Sequence, residues 1–165
     1  MRRALVLSSL ALLAAAPTAL AVGRSSDDGT LSVKRGRGMV SMTLNGVAIG
    51  RVAHGRVTVT DVDGDGRGLD VWGCDRVPKT APATGSDTST CTGADLRFRA
   101  VGGKWKIVVR GSGMYLSVVG RGTVTLDGRG GFDATEDGVF SFNDDPYQSL
   151  PADAEDFLLA APSGS

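Results

Sequence analysis

Apolar side chains recur at every second position along much of this chain, which is the spacing of a β-strand with one buried face. The run from Leu96 to Arg110 shows this most clearly, because apolar and basic residues alternate on both sides of Val101-Gly102-Gly103. A glycine turn between two such runs predicts a β-hairpin with one apolar face and one basic face. The residues that would form the basic face are Arg97, Arg99, Lys104, Lys106 and Arg110.

Eight further runs predict strands, and glycines separate most of them, as turns with positive φ require. These runs are residues 31–34, 39–44, 47–52, 56–61, 69–72, 114–119, 123–127 and 139–142. The pattern predicts an all-β fold, either an antiparallel sandwich or a closed barrel. Arg35–Met39 also resembles Arg110–Met114, which leaves open a fold made of two related three-strand meanders.

Residues 1–21 have the composition of a cleaved export signal. Two arginines precede an apolar stretch that is too short to span a membrane as a helix. Ala19 and Ala21 then form the small-x-small pattern after which signal peptidase cuts. We therefore expect an exported protein, extracellular or in the cell envelope, whose mature chain begins near Val22 and does not insert into the membrane after cleavage.

The mature chain has 16 basic and 18 acidic residues, a formal net charge of −2. A nucleic-acid-binding protein would carry a strong basic excess, so we expect no nucleic-acid partner. No Lys or Arg follows Arg129, which makes the last part of the chain acidic. We expect a β domain over residues 22–145 and an acidic C-terminal tail over 146–165. Within that tail, residues 156–159 form either a last strand or a short helical turn.

The chain has two cysteines, Cys74 and Cys91, and an even number in an exported protein favours a disulfide. They enclose a run of Pro, Gly, Ser and Thr that predicts a loop. Closing a loop of this length should stabilise the fold by roughly 3 kcal/mol. The spacing is not C-x-x-C, so a redox function is not indicated.

The segment from Leu96 to Asp127 resembles a group of uncharacterised exported actinobacterial proteins that are rich in β structure. The likeness rests on Arg97-Phe98-Arg99 ahead of Gly102-Gly103, and on the run 116–122, which reads LSVVGRG. Met114-Tyr115 departs from the Ile-Asp pair of that group. The resemblance implies no activity, because none is known for the group.

One loop has the composition of a cation site. Asp61, Asp63 and Asp65, followed by Gly66, match positions 1, 3, 5 and 6 of a calcium loop, where carboxylates surround one ion. The run also resembles the aspartate loops of calcium-binding β-propeller repeats, although its last aspartate, Asp70, comes one residue later. We predict Ca²⁺ bound by these four aspartates. The alternative is an Asp-Gly turn that needs no metal.

Catalytic motifs do not occur in the sequence. His54 is the single histidine, and there is no nucleophile elbow, zinc-ligand spacing or dinucleotide motif. We interpret the chain as a non-enzymatic binding or structural module whose basic face meets an anionic cell-envelope polymer or another protein. Two alternatives stay open: a secreted hydrolase with a dispersed acidic site, and an inhibitor or signalling domain that binds another protein.

Overall fold

The computed structural model describes residues 26–64, 68–75, 88–130 and 136–162. In this part of the chain all regular structure is β, and no helix is long and apolar enough to cross a membrane. The predicted export signal, residues 1–21, lies outside the described residues. The strands are β1 (Gly29–Asp61), β2 (Leu69–Trp72), β3 (Thr88–Gly128), β4 (Val139–Phe142), β5 (Gln148–Ser149) and β6 (Glu155–Leu159).

Two long strands, β1 and β3, pair with each other along both of their edges. Val40, for example, lies opposite Val109 on one side and opposite Leu126 on the other. Leu31 and Ala48 both lie opposite Val118, so β1 returns to the same partner after 17 residues. The two strands therefore form one antiparallel ribbon that is wound upon itself, with each strand bending from one layer to the next.

The winding produces two packed sheets. The first sheet contains, in order, β5, β4, 29–37, 112–119, 47–54, 94–101 and β2. The second sheet contains, in order, β6, 121–128, 38–45, 104–111, 55–61 and 88–93. This alternation of segments from β1 and β3 is the connectivity of a jelly roll, a sandwich of two antiparallel sheets. The predicted all-β sandwich is confirmed, and the sheet does not close into a barrel.

A row of glycines marks one edge along which the strands bend between the sheets. The register pairs Gly128 with Gly38, Gly38 with Gly111, Gly111 with Gly55, and Gly55 with Gly93. A Cβ on Gly55 would overlap the carbonyl oxygen of the residue before Gly111, because neighbouring backbones approach closely here. Glycine is required at such a contact, so the positions of these glycines determine where the ribbon bends.

The predicted hairpin over 96–110 is wrong. Residues 97–100 already pair with 48–51 on one edge and with β2 on the other, which leaves no edge for residues 104–110. Gly102 and Gly103, with φ of 68° and 77°, instead direct the chain into the second sheet. The basic residues predicted to share one face are therefore divided between two sheets.

The two related meanders are not present either, because the β1 segments pair with β3 or β4 and not with one another. The repeated sequences Arg35–Met39 and Arg110–Met114 instead pair with each other, with Gly38 opposite Gly111 and Gly36 opposite Met114. The two runs are similar because both supply glycines to the same bend between the sheets.

The core lies between the two sheets and consists of the apolar half of each alternation. Trp105 and Phe98 are its largest fully buried side chains, and each comes from a different sheet. Truncating either ring to alanine should cost about 3–5 kcal/mol of folding free energy. Because inward positions alternate with outward ones, each sheet also has an outer face. The residues of these two outer faces do not pack in the core, so the fold does not determine which side chains they carry.

The C-terminal segment contributes to both sheets. β5 pairs with β4 in the first sheet, and β6 pairs with residues 122–126 in the second. Of the two conformations predicted for residues 156–159, the strand is the one observed, and it buries Leu159. Phe157 also packs against Phe140 and Phe142, with ring centroids 5.1–5.3 Å away. Residues 148–159 of the expected tail are thus part of the sandwich.

The predicted disulfide between Cys74 and Cys91 is confirmed. Cys91 lies in the second sheet and is buried, whereas Cys74 follows β2 at the edge of the first sheet. The bridge therefore ties the edge strand β2 to the opposite layer. Most of the intervening loop, residues 76–87, lies outside the described residues.

Candidate binding groove

The structure separates the basic residues that the sequence grouped together. Arg97 and Arg99 point outward from the first sheet, beside β1 residues 49–51. Lys106 and Arg110 point outward from the second sheet, and the exposed Lys104 follows the glycine bend. The predicted set is therefore divided between two surfaces, with Arg97 and Arg99 on the outer face of the first sheet and the three other basic residues on that of the second.

A groove of about 560 Å³ lies on the outer face of the first sheet. It crosses segments of β1, β2 and β3, so a rigid sheet forms its floor. We call it the aromatic–basic groove, after the side chains that distinguish it. These are Lys34, Arg51, Trp72, Arg97, Arg99 and Tyr115.

The groove carries more positive than negative charge. Lys34, Arg51, Arg97 and Arg99 contribute four cations. The acidic groups beside them are Asp95, whose carboxylate is 3.2 Å from the Arg51 guanidinium, and Asp70, which lies opposite Arg99 in β2. The Arg51–Asp95 pair is exposed on both sides, so it holds the guanidinium in place only weakly. Among the residues that the structure describes, Arg97 and Arg99 form no ion pair, so we expect both to be available to an anionic ligand.

Large apolar side chains are exposed on the same face. Trp72, Tyr115 and Ile49 are 52%, 46% and 49% exposed, although alternate residues of their strands pack in or against the core. Among the described residues, the other large exposed apolar side chains are Val62, Tyr147 and Leu158. A concentration of exposed rings on one sheet face is typical of a binding surface, because water disfavours it otherwise.

One row across the first sheet brings rings and guanidinium groups together. Trp72 lies opposite Arg97, and Arg51 lies between Arg97 and Tyr115 in the register. The row crosses three inter-strand spacings, about 14 Å, and has an aromatic ring at each end. Two planar cations therefore lie between two exposed rings on a fixed backbone.

Tyr147 stands next to the groove at its Lys34 end. Its hydroxyl is 3.0 Å from the Ser32 hydroxyl, and the Lys34 ammonium lies 4.1 Å from the centre of its ring. The hydrogen bond with Lys34, and then the one with Ser32, lower the pKa of the Tyr147 phenol below its ordinary value. The contacts order a second aromatic–cationic pair at this side of the face.

The aspartate loop is organised by hydrogen bonds in this structure. Asp61 is buried, and its carboxylate accepts backbone N–H groups of Asp63 and Gly64 at 3.1 and 3.0 Å. The Asp63 carboxylate accepts the backbone N–H of Lys104 at 2.9 Å, while Asp70 is on the outer face of β2. Asp65 lies outside the described residues.

Within the described ranges, no three His, Cys, Asp or Glu side chains are grouped to hold a metal ion. Two of the four predicted calcium ligands, Asp61 and Asp63, lie in the same turn, and Asp70 lies on β2 in register with Arg99. Calcium binding at this loop stays a prediction. What the described contacts establish is a carboxylate-capped turn at the end of β1.

No known protein family, curated protein or solved structure matches this chain. Sequence reasoning found Arg97 and Arg99 but missed Trp72, Tyr115 and Arg51. The signal was present for the two rings, because each occupies the polar phase of an alternating strand: Trp72 follows Asp70 at the strand period, and Tyr115 separates Met114 from Leu116.

Proposed function

We propose that this chain is an exported, non-enzymatic β-sandwich that binds an anionic polymer of the cell envelope through the aromatic–basic groove. One observation carries the proposal: four basic side chains line a single groove on a rigid sheet face. The residues are Lys34, Arg51, Arg97 and Arg99.

Two features support export. Residues 1–21 have the charge, apolar length and small-residue pattern of a cleaved signal. Cys74 and Cys91 form a disulfide, a bond that persists mainly in oxidising compartments outside the cytosol. Carboxylate-bearing or phosphate-bearing polymers of the cell envelope have the charge that complements such a groove.

The binding should be modest in affinity and sensitive to salt. Guanidinium groups bind carboxylate or phosphate in a planar, two-pronged geometry, and those of Arg97 and Arg99 are exposed on one strand. Exposed charges are screened beyond about 8 Å at physiological ionic strength. A polymer with repeated charges compensates for the weakness of each contact, since several repeats can engage the groove in turn.

A co-sedimentation assay with purified cell wall tests this proposal. The groove variant is Arg97→Ser with Arg99→Ser, and the matched control is Lys106→Ser with Arg110→Ser. Both remove two exposed charges, but from opposite outer faces. We expect the parent and the control to sediment at low salt and to dissociate at high salt, and the groove variant to bind at least about tenfold more weakly.

All four side chains point away from the core, so we expect both variants to fold. The melting temperature of each variant checks this. Equal losses in the two variants would mean that net charge, and not the groove, causes retention. A parent protein that stays in the supernatant at low salt would overturn the proposed function.

A further inference from the structure

We propose that the polymer is an acidic polysaccharide, whose sugar rings stack on Trp72 and Tyr115 while the arginines between them bind its carboxylates. This inference rests on the proposed function and names the ligand class of the same groove. It follows from three properties of the face: ring exposure, ring spacing and the chemistry of the intervening side chains.

The exposure of the rings is the first property. Trp72 is 52% and Tyr115 46% exposed, while alternate residues of the same strands pack against the core. Both side chains point out of the sandwich, and neither belongs to the core. A flat aromatic surface in water favours a partner with a flat apolar surface of its own, and the C–H face of a pyranose ring is one.

The spacing is the second property. The two rings lie at the ends of a row about 14 Å long, with Arg97 and Arg51 between them. This separation exceeds the width of one sugar ring, so the row fits an extended oligomer better than a free monosaccharide. Because all four residues stand on paired strands, the geometry exists before the ligand binds.

The third property is the combination of groups. A carboxylated sugar polymer offers apolar ring faces for the aromatic residues, carboxylates for the guanidinium groups, and hydroxyls for the exposed Ser117 in the groove. A polyphosphate offers charge without a ring, and an acidic peptide offers carboxylates without a regular flat apolar face. Acidic polysaccharide is therefore the class that uses the whole row.

The experiment compares three soluble polyanions: polygalacturonate, inorganic polyphosphate and polyglutamate. Affinity electrophoresis measures binding to each for the parent, for Trp72→Ala and for Tyr115→Ala. Leu158→Ala is the matched control, since Leu158 is the most exposed large apolar residue described and lies on the outer face of the second sheet. Trp105 is buried, so quenching of the exposed Trp72 reports stacking directly.

We expect polygalacturonate to bind most tightly and to quench tryptophan fluorescence. Each ring variant should weaken that binding about tenfold, while Leu158→Ala leaves it unchanged. Binding of polyphosphate should be weaker and should not depend on Trp72. If the three polyanions bind equally and the ring variants match the parent, the polysaccharide inference is wrong although the anionic groove stands. If the parent binds neither these polymers nor cell wall, the proposed function fails as well.

Discussion

The two outer faces of the sandwich are built on the same wound ribbon but carry different chemistry. The first face has exposed rings and guanidinium groups around a groove, whereas on the second face basic side chains such as Lys106 and Arg110 lie among rows of threonine. Hydroxyl pairs connect neighbouring strands there: Thr58 with Thr90 at 3.2 Å, and Thr60 with Thr88 at 2.9 Å. The outward threonines of the second face are Thr43, Thr58, Thr60, Thr88, Thr90, Thr92, Thr123 and Thr125.

The difference shows that fold and binding use separate sets of residues. Both faces have the same inward alternation and share the same glycine bends, so neither composition is needed for the ribbon to wind. Threonine satisfies a solvated strand position through its β-branch and its cross-strand hydroxyl contacts. Trp72 and Tyr115 are about half exposed at outward positions of the first face, where a threonine would serve the strand as well, which points to a role in binding.

Removing a glycine bend on which both faces depend should disrupt the two faces together. Gly55→Ala would place a Cβ against the carbonyl of Arg110, so the paired backbones must separate. We expect a loss of about 3 kcal/mol or more in urea denaturation, and disruption of both faces together. Gly102→Ala is the control: its φ is 68° but nothing lies within 4 Å of the added methyl, so about 1 kcal/mol should be lost. Equal stability of the two variants would contradict the requirement for glycine at position 55.

Reducing the disulfide should affect the faces unequally. Opening the Cys74–Cys91 bridge should lower the free energy of unfolding by about 3 kcal/mol, mainly by freeing the unfolded chain. Since Cys74 follows Trp72 by two residues, the groove should also lose affinity for cell wall. The outer face of the second sheet should stay ordered. Cys74→Ser with Cys91→Ser, compared with the parent by urea denaturation and cell-wall sedimentation, checks both effects. If the folded double variant bound cell wall as tightly as the parent, β2 would be held in place without the disulfide.

Asp61 provides a test at the end of β1, away from the groove. Asp61→Ala removes the buried carboxylate that accepts the backbone N–H groups of Asp63 and Gly64, so we expect a loss of about 1–3 kcal/mol. Asp61→Asn keeps one amide oxygen as acceptor and should lose less. The same melts with calcium or with chelator test the predicted metal site separately: a parent melting temperature that rises with calcium, and does not rise in Asp63→Ala, would confirm it.

The smallest expected effect concerns Tyr147 beside the groove. Because the hydrogen bonds with Lys34 and Ser32 lower the pKa of its phenol, folding favours the tyrosinate. That stabilisation is present above the ordinary tyrosine pKa of about 10 and disappears as the pH falls through the lowered value. An alkaline absorbance titration of Tyr115→Phe protein isolates Tyr147. Lys34→Met should raise its pKa, and Lys106→Met on the second sheet should leave it unchanged.

The sequence predicted local strands much better than it predicted their neighbours. The runs 69–72 and 139–142 are strands with those bounds, because alternation and turn residues are local signals. The hairpin at Gly102-Gly103 was wrong because a glycine pair fits both a tight turn and a bend between sheets, and only the long-range pairing of residues 97–100 with β1 decides between them.

The sequence predicted only the part of the groove that lies on one strand, because local patterns are visible in a sequence and strand pairing is not. Arg97 and Arg99 are close in sequence, so their common face follows from strand period alone. Arg51 and Trp72 join them only through the register of β1 and β2 against β3, which no local pattern contains. Exposed rings in polar strand positions were the one local sign that this face differs from the other.

Amide chemical-shift mapping with an oligomer of galacturonic acid tests the central claim that one face alone binds the ligand. We predict shifts that saturate together at Trp72, Arg97, Arg51 and Tyr115, with the indole N–H of Trp72 among the largest, and none along the threonine rows of the second sheet. Shifts centred on Lys106 and Arg110, or spread equally over both faces, would contradict it.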